Sequence, residues 1–459
     1  MASGYVLAGF ETLVSIIDRF IKSDRYNNQF TRDDINTFFS NTCNNFLHSF
    51  GSNFKGRKKL HNYAKKEAEV FQKCRSFGLN KDSFFWVDSG GFQISVGILN
   101  LEESKNLYDI YYKFLVDYHD VYDKSFILDI PPGPGCVIFD NFEQVEEMNT
   151  RSYLRAASLP EKIRNKMIYI HHFRTPKLWD IYHKILREND LFSRFQYHGT
   201  GGIAANQGSD MSIPCIIYVL PLIPLINEVL KCKRDFLNFH ILGGATHRDI
   251  LFYELFKILV KNKHGINLNL TYDSSTMFKG FMIGRHLTTI DGDYIRKTDL
   301  RSNKLGHRYY SSEKTIAEKY GECLDIFAVN HGLKPLNLNE NNIYDDKSGT
   351  FFEEVKLYSM LYMLSMYSEV EKIMSEKAKS LYELYIAGEI ESFSEIIGTT
   401  IRNINSGKIT QKTKTKSFSI SKSLEMLTNL DEDYCKYIVN KYLSKDEFIE
   451  LTNERILKF

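Results

Sequence analysis

The sequence predicts a (β/α)8 barrel of the TIM type, followed by a β-hairpin and a C-terminal helical region. Three observations carry that expectation. Eight short, strand-like apolar runs (5–8, 46–49, 84–87, 126–130, 167–171, 195–199, 237–242 and 268–272) recur along the chain. Between them lie amphipathic stretches with apolar residues three and four apart, as in 101–122 and 176–189, which is helical spacing. Strand and helix in alternation give a parallel sheet, and eight such units suggest a closed barrel. The later runs are apolar on both faces, as buried parallel strands must be, and each closes in a polar or glycine-rich turn of the kind in which a barrel keeps its chemistry.

In chain order, residues 1–80 form a divergent first part of the barrel and 81–284 its core, with the turns DSGGFQ, DIPPGPG, HHFRT, HGTGGIA, GGATHRD and DSSTMFKG. Residues 285–400 hold an alternating segment, RHLTTIDGDYIRKTDLR, whose Asp291-Gly292 pair marks a hairpin turn, and then a strongly helical stretch at 351–398. Residues 401–424 carry six Lys/Arg and no acid among Ser, Thr and Asn, which reads as a basic linker, and 425–459 is a small helical tail.

Composition bounds the class. The 459 residues are 43% hydrophobic and 25% charged with a formal net charge of +2, which fits a globular chain and gives no global field towards polyanions. Any nucleic acid must then be held by local patches. No run of about 18 apolar residues occurs and the N-terminal segment lacks the pattern of a cleaved signal, so a cytoplasmic location without membrane contact is expected. The 7 cysteines are scattered with no CxxC pair, so no disulfide framework or zinc knuckle is expected.

Three acids stand where apolar strands end: Asp88 in WVDSGGFQ, Asp129 in FILDIPP and Asp273 in LTYDSS. Singly, each is as readily a cap or turn residue, and Asp88 and Ser89 could simply cap the next helix. Jointly they point to a site, because crowded carboxylates repel and lose hydration unless they are used. The two glycines after Ser89 would let the backbone approach a ligand.

DSGGFQ, LDIPP, GGIA, HILGG and YDSS, in this order, resemble the tRNA-guanine transglycosylase family over roughly residues 80–400. The resemblance is strongest in character to the DNA 7-deazaguanine transglycosylases of phages and bacterial gene clusters. It implies exchange of guanine for a free 7-deazaguanine base (preQ0-type) by double displacement, without a cofactor. By that resemblance Asp273 is the nucleophile on C1′ and Asp88 the acid/base. Asp129 would bond the N–H edge of the base, with Gly201, Gly202 and Ile203 offering backbone groups and Phe92 and Ser89 lining the pocket. The chemistry agrees: a carboxylate can trap an oxocarbenium-like centre covalently while a second acid handles the proton.

Departures from the family pattern bear on the substrate. Where the family reads the base carbonyl with Gln-Gly, this chain has His171 and His172, whose imidazoles could donate instead. The family's zinc subdomain has a C-x-C-x-x-C set with a distal His, whereas here Cys323 stands alone, so no metal is expected and DNA is favoured over tRNA as partner. Arg285, Arg296, Lys297 and Arg301 lie where phosphates beside the target would pass, although a charge run is usually a solvated face. A nucleosidase or glycosidase using the same carboxylates, and a non-catalytic partner subunit, are the alternatives, and accessory proteins are compatible with either.

Overall fold

A computed structural model describes residues 4–22, 32–54, 62–76, 83–95, 97–131, 142–173, 175–201, 215–244, 247–273, 286–291, 294–299, 316–337, 344–345, 350–351, 353–389 and 427–442. Eight parallel strands close into a barrel in chain order: β1 (Tyr5–Ala8), β2 (Asn45–Ser49), β3 (Phe84–Asp88), β4 (Lys124–Phe126), β5 (Met167–His171), β6 (Tyr197–Thr200), β7 (Phe236–Ile241) and β8 (Asn267–Asp273). The ring closes where β8 pairs with β1, Tyr272 opposite Tyr5 and Asp273 opposite Val6.

Parallel neighbours require crossovers, and helices supply them. After β1 come α1 (Phe10–Lys22) and α2 (Arg32–Thr42), and after β2 comes α3 (Tyr63–Ser76). After β3 come α4 (Gly91–Ser95) and α5 (Leu101–Asp117), and after β4 α6 (Phe142–Ala157) and α7 (Glu161–Arg164). β5 is followed by α8 (Pro176–Glu188) and α9 (Leu191–Arg194), β6 by α10 (Leu222–Lys231) and β7 by α11 (His247–His264). Two starts are written locally. Asn100 and Glu103 form a capping box on α5, each side chain accepting from the other's backbone N–H at 2.9 Å. Thr175 caps α8 ahead of Pro176, whose missing N–H costs nothing in the first turn.

The period of two along each strand divides the core. Inward side chains Val6, Leu47, Trp86, Phe126, Ile168 and Ile170 form a cluster within the barrel, and outward ones pack with the helices in a larger, separate cluster. Each such buried side chain contributes about 1.5–3 kcal/mol. Truncating Trp86, which is 5% exposed and bonds Asn45 Oδ1 through Nε1, would cost about 3–5 kcal/mol.

Some boundaries differ from the sequence reading. β4 pairs over Lys124–Phe126 rather than 126–130, because after Ile127 N–H donates to Ile168 O the chain leaves the ladder towards the paired prolines. β6 pairs at 197–200 rather than 195–199, since Phe195 N–H instead closes α9 on Leu191 O. The helix expected over 101–122 stops at Asp117, and Tyr122 folds back to donate to Leu115 O.

Beyond the barrel, β9 (His286–Asp291) and β10 (Tyr294–Asp299) pair antiparallel with Tyr294 opposite Asp291, the register of the expected hairpin. α12 (Ile316–Asn330), the short pair β11 (Tyr344–Asp345) and β12 (Thr350–Phe351), and the long α13 (Glu353–Ile386) follow. α13 packs along α1, α2, α11 and α12, and its Tyr367 stacks on Tyr5 of β1 at 4.4 Å between ring centroids. α14 (Glu432–Tyr442) lies against α8 and α10. The expected basic linker at 401–424 lies outside the described residues. No helix among the described residues is long and apolar enough to cross a membrane.

Candidate active site

The C-terminal ends of the strands bring Asp88, Asp129 and Asp273 to one mouth. Asp88 is the last residue of β3 and pairs in register with Ser49 of β2. Burial is the largest influence on its carboxyl and raises it. A hydrogen bond with Ser49 lowers it, the Asp129 charge raises it, the Gly90 N–H lowers it and the Asp273 charge raises it. The net result is a carboxyl pushed up to about 6, close to the range in which a carboxyl can both give and take a proton near neutrality.

Asp273 ends β8 and is 7% exposed. Its Oδ1 accepts the Gly243 N–H at 2.8 Å and lies 3.5 Å from His240 Nε2. Asp129, 8% exposed, stands beyond β4 in the turn. Its Oδ2 is 3.1 Å from His172 Nε2, but the angle is not that of a hydrogen bond, and His172 Nε2 has no hydrogen-bond partner among the described residues. His172 is 2% exposed, its ring 5.1 Å from that of Tyr182 on α8, so a buried imidazole and the Asp129 carboxylate stand side by side.

The turn carrying Asp129 is held from behind. Asn149 of α6 accepts Ile130 N–H through Oδ1 at 2.7 Å and donates to Ile130 O through Nδ2 at 2.9 Å. Ser152 donates to Leu128 O, and Ser95 of α4 donates to Pro131 O at 3.0 Å. Nothing in the spacing of α6 marks Asn149 or Ser152 as part of this support; only the fold does.

The glycines of DSGG admit close backbone neighbours. A Cβ on Gly91 would stand 1.5 Å from Asp129 O, and one on Gly90, whose φ is +89°, would meet Gly51 Cα at 2.6 Å. They admit neighbouring backbone, the β2 and β4 turns, and so draw the loops bearing Ser49, Asp88 and Asp129 together. Gly201 is buried beside this group, its absent Cβ 3.9 Å from Asp129 Oδ2.

Two expected site residues are placed elsewhere. Ser89 is fully buried and its Oγ accepts Gly91 N–H at 3.3 Å, which is the capping role. His171 shares β5 with inward Ile168 and Ile170, so the period of two turns it outward, to the layer between strands and helices. There its Nε2 meets His198 Nδ1 at 3.2 Å, with the His183 ring 6.0 Å away. Burial holds all three imidazoles neutral: His183 falls to about 4, His198 to about 3 and His171 well below the ordinary value.

Phe92, in contrast, is 47% exposed at the head of α4, an aromatic face open to a flat ligand. Gly202, Ile203, Arg285 and Arg301 lie outside the described residues, and Arg296 and Lys297 are placed on the backbone of β10. Among the described residues no group of three His, Cys, Asp or Glu side chains could hold a metal ion. His331 bonds Ser365 Oγ at 3.1 Å and packs on Phe38 and Phe327.

No protein-family model matches the chain, and no curated protein matches it. Among solved structures, an apo structure of a beta-glucosidase matches with a TM-score of 0.25 and 11% identity, over 53% of this chain and 76% of that one. A likeness that slight carries no argument about this site.

Proposed function

We propose that the chain is a transglycosylase that replaces guanine in DNA with a 7-deazaguanine base of the preQ0 type, through a glycosyl ester on Asp273. The observation that carries the reading is the convergence of three carboxylates with unlike surroundings. Asp88 is held near 6, Asp273 is fixed by a backbone N–H, and Asp129 stands beside the His172 nitrogen.

Unlike surroundings divide the labour. Protonated Asp88 gives its proton to the departing guanine as the C1′–N9 bond breaks and its electron pair leaves with the base. A carboxylate oxygen of Asp273 forms the new bond to C1′. In the second half, N9 of the incoming base attacks C1′, its proton passes to the Asp88 carboxylate, and the ester bond returns its electron pair to Asp273. No redox partner is needed and both acids end as they began.

His172 beside Asp129 suits the edge of guanine. An imidazole N–H can donate to O6, while the carboxylate accepts from N1–H and the exocyclic amine. The exposed ring of Phe92 offers a stacking face for a base turned out of its duplex. DNA is preferred to tRNA on the sequence resemblance and on the lone Cys323.

Guanine-for-guanine exchange tests the reaction without knowledge of the incoming base. The chain is incubated with labelled guanine and with single-stranded DNA, duplex DNA or tRNA, and label in the polymer is counted. Label in DNA supports the proposal, and label in tRNA alone moves the substrate to tRNA. Release of free guanine with no label taken up converts the reading to hydrolysis, and neither outcome with any polymer overturns it.

A further inference from the structure

His240 has no part in the reading above, yet it lies directly beneath the proposed nucleophile. It is 1% exposed, inward on β7 in register with Thr271 of β8, and its ring packs 5.1 Å from both Trp86 and Phe126. Nδ1 is 2.9 Å from Thr271 Oγ1. Nε2 has no hydrogen-bond partner among the described residues, and what it faces, at 3.5 Å, is Asp273 Oδ1. A buried polar nitrogen without a partner costs about 1–3 kcal/mol, so its position calls for a use.

We propose that His240 is a positioning residue for Asp273, holding Nε2–H towards Oδ1 and leaving Oδ2 as the oxygen that attacks C1′. Electrostatics selects the tautomer. With the proton on Nδ1, the Nε2 lone pair would face a carboxylate oxygen; with the proton on Nε2, the Thr271 hydroxyl donates to Nδ1 and the N–H faces the carboxylate. Oδ1 is then contacted by Gly243 N–H and His240 Nε2–H, both donors, so it is the less nucleophilic oxygen. Charge returns to Asp273 when the ester breaks, and a contact too long in the resting state can tighten at that moment. In the strand sequence FLNFHI the signal is only a polar residue at an inward position.

This inference rests on Asp273 being the nucleophile, so two measurements on the full chain keep the two claims apart. The first needs no activity: nitrogen NMR of chain labelled at histidine, with the His240 signals assigned from a His240→Gln variant. Nε2 protonated and Nδ1 bare at neutral pH, with the Nε2 signal moved by Asp273→Asn, is the expected result. Nδ1 protonated, or no response to Asp273→Asn, overturns the proposal. The second is guanine exchange. His240→Phe should lower kcat by about 100-fold with KM nearly unchanged, the loss typical of one oriented donor, and His240→Gln should recover part of it. An unchanged kcat in His240→Phe overturns the catalytic part even if the tautomer is as expected. Should wild-type chain exchange no guanine, the transglycosylase reading fails, and the nitrogen signals alone decide whether His240 orients Asp273.

Discussion

Replacing Asp88 by Asn should stabilise the fold in alkali while removing activity. The carboxyl stands at about 6 against an ordinary value of 3.8. At about 1.36 kcal/mol per unit, an ionised Asp88 therefore costs the fold about 3 kcal/mol relative to the neutral acid. The sign follows from the raised value: the contribution of Asp88 to stability is fully present below 3.8 and is lost as the pH rises through about 6. Asn is neutral throughout, so the advantage of Asp88→Asn grows over that window. It should be about a fifth developed at about pH 4, about half at pH 5 and complete at pH 8. The weakened bond with Ser49 subtracts about 1 kcal/mol, leaving a net gain of about 2 kcal/mol. Paired urea titrations of both chains, followed by circular dichroism across this range, measure the difference directly. Exchange by the variant should fall by about 10²–10⁴, the usual worth of a general acid/base. A difference in stability that does not vary with pH would refute the electrostatic account of Asp88.

The other expectations are separable from that one. Gly91→Ala places a methyl 1.5 Å from Asp129 O, so backbone must move; a loss of about 3 kcal/mol or more, with exchange lost although all three acids remain, should appear in the same titrations. His183 and His198, held at about 4 and about 3, favour the fold above their ordinary value of 6.5 and cease to do so as the pH falls. Stability should drop by about 2 kcal/mol for each by pH 5, and thermal melts of His198→Asn should show a shallower acid limb; an equal limb would contradict this. Changing Arg285, Arg296 and Arg301 together to Ala should lower the salt slope of DNA binding by about two to three counterions. An unchanged slope in binding titrations would make the patch solvated surface.

The apolar runs located the barrel because a buried parallel strand has few ways to be written, and the acids ending β3 and β8 followed from it. What the sequence hid was depth and direction. Asp129 stands beyond its strand, with its backbone oxygen where a Cβ on Gly91 would be, a juxtaposition no local pattern records. His171 and His172 are adjacent and look alike, but the period of two sends His171 to the helical layer while His172, just past the strand, meets Asp129. The contacts that the glycines of DSGG make with Gly51 and Asp129, far apart in sequence, were not legible either. Asn149, Ser152 and His240 support the site from neighbouring elements, and only the fold brings them there.

A bond between Asp273 and C1′ can be caught in the act by covalent capture. Chain incubated with guanine-containing single-stranded DNA and no acceptor base should be denatured rapidly, digested and subjected to mass spectrometry. A peptide bearing an abasic deoxyribosyl strand on Asp273 is expected. It should be absent from Asp273→Asn but retained, at a slower rate of formation, in Asp88→Asn. An adduct on another residue, or guanine exchange undiminished in Asp273→Asn, would contradict this role of Asp273.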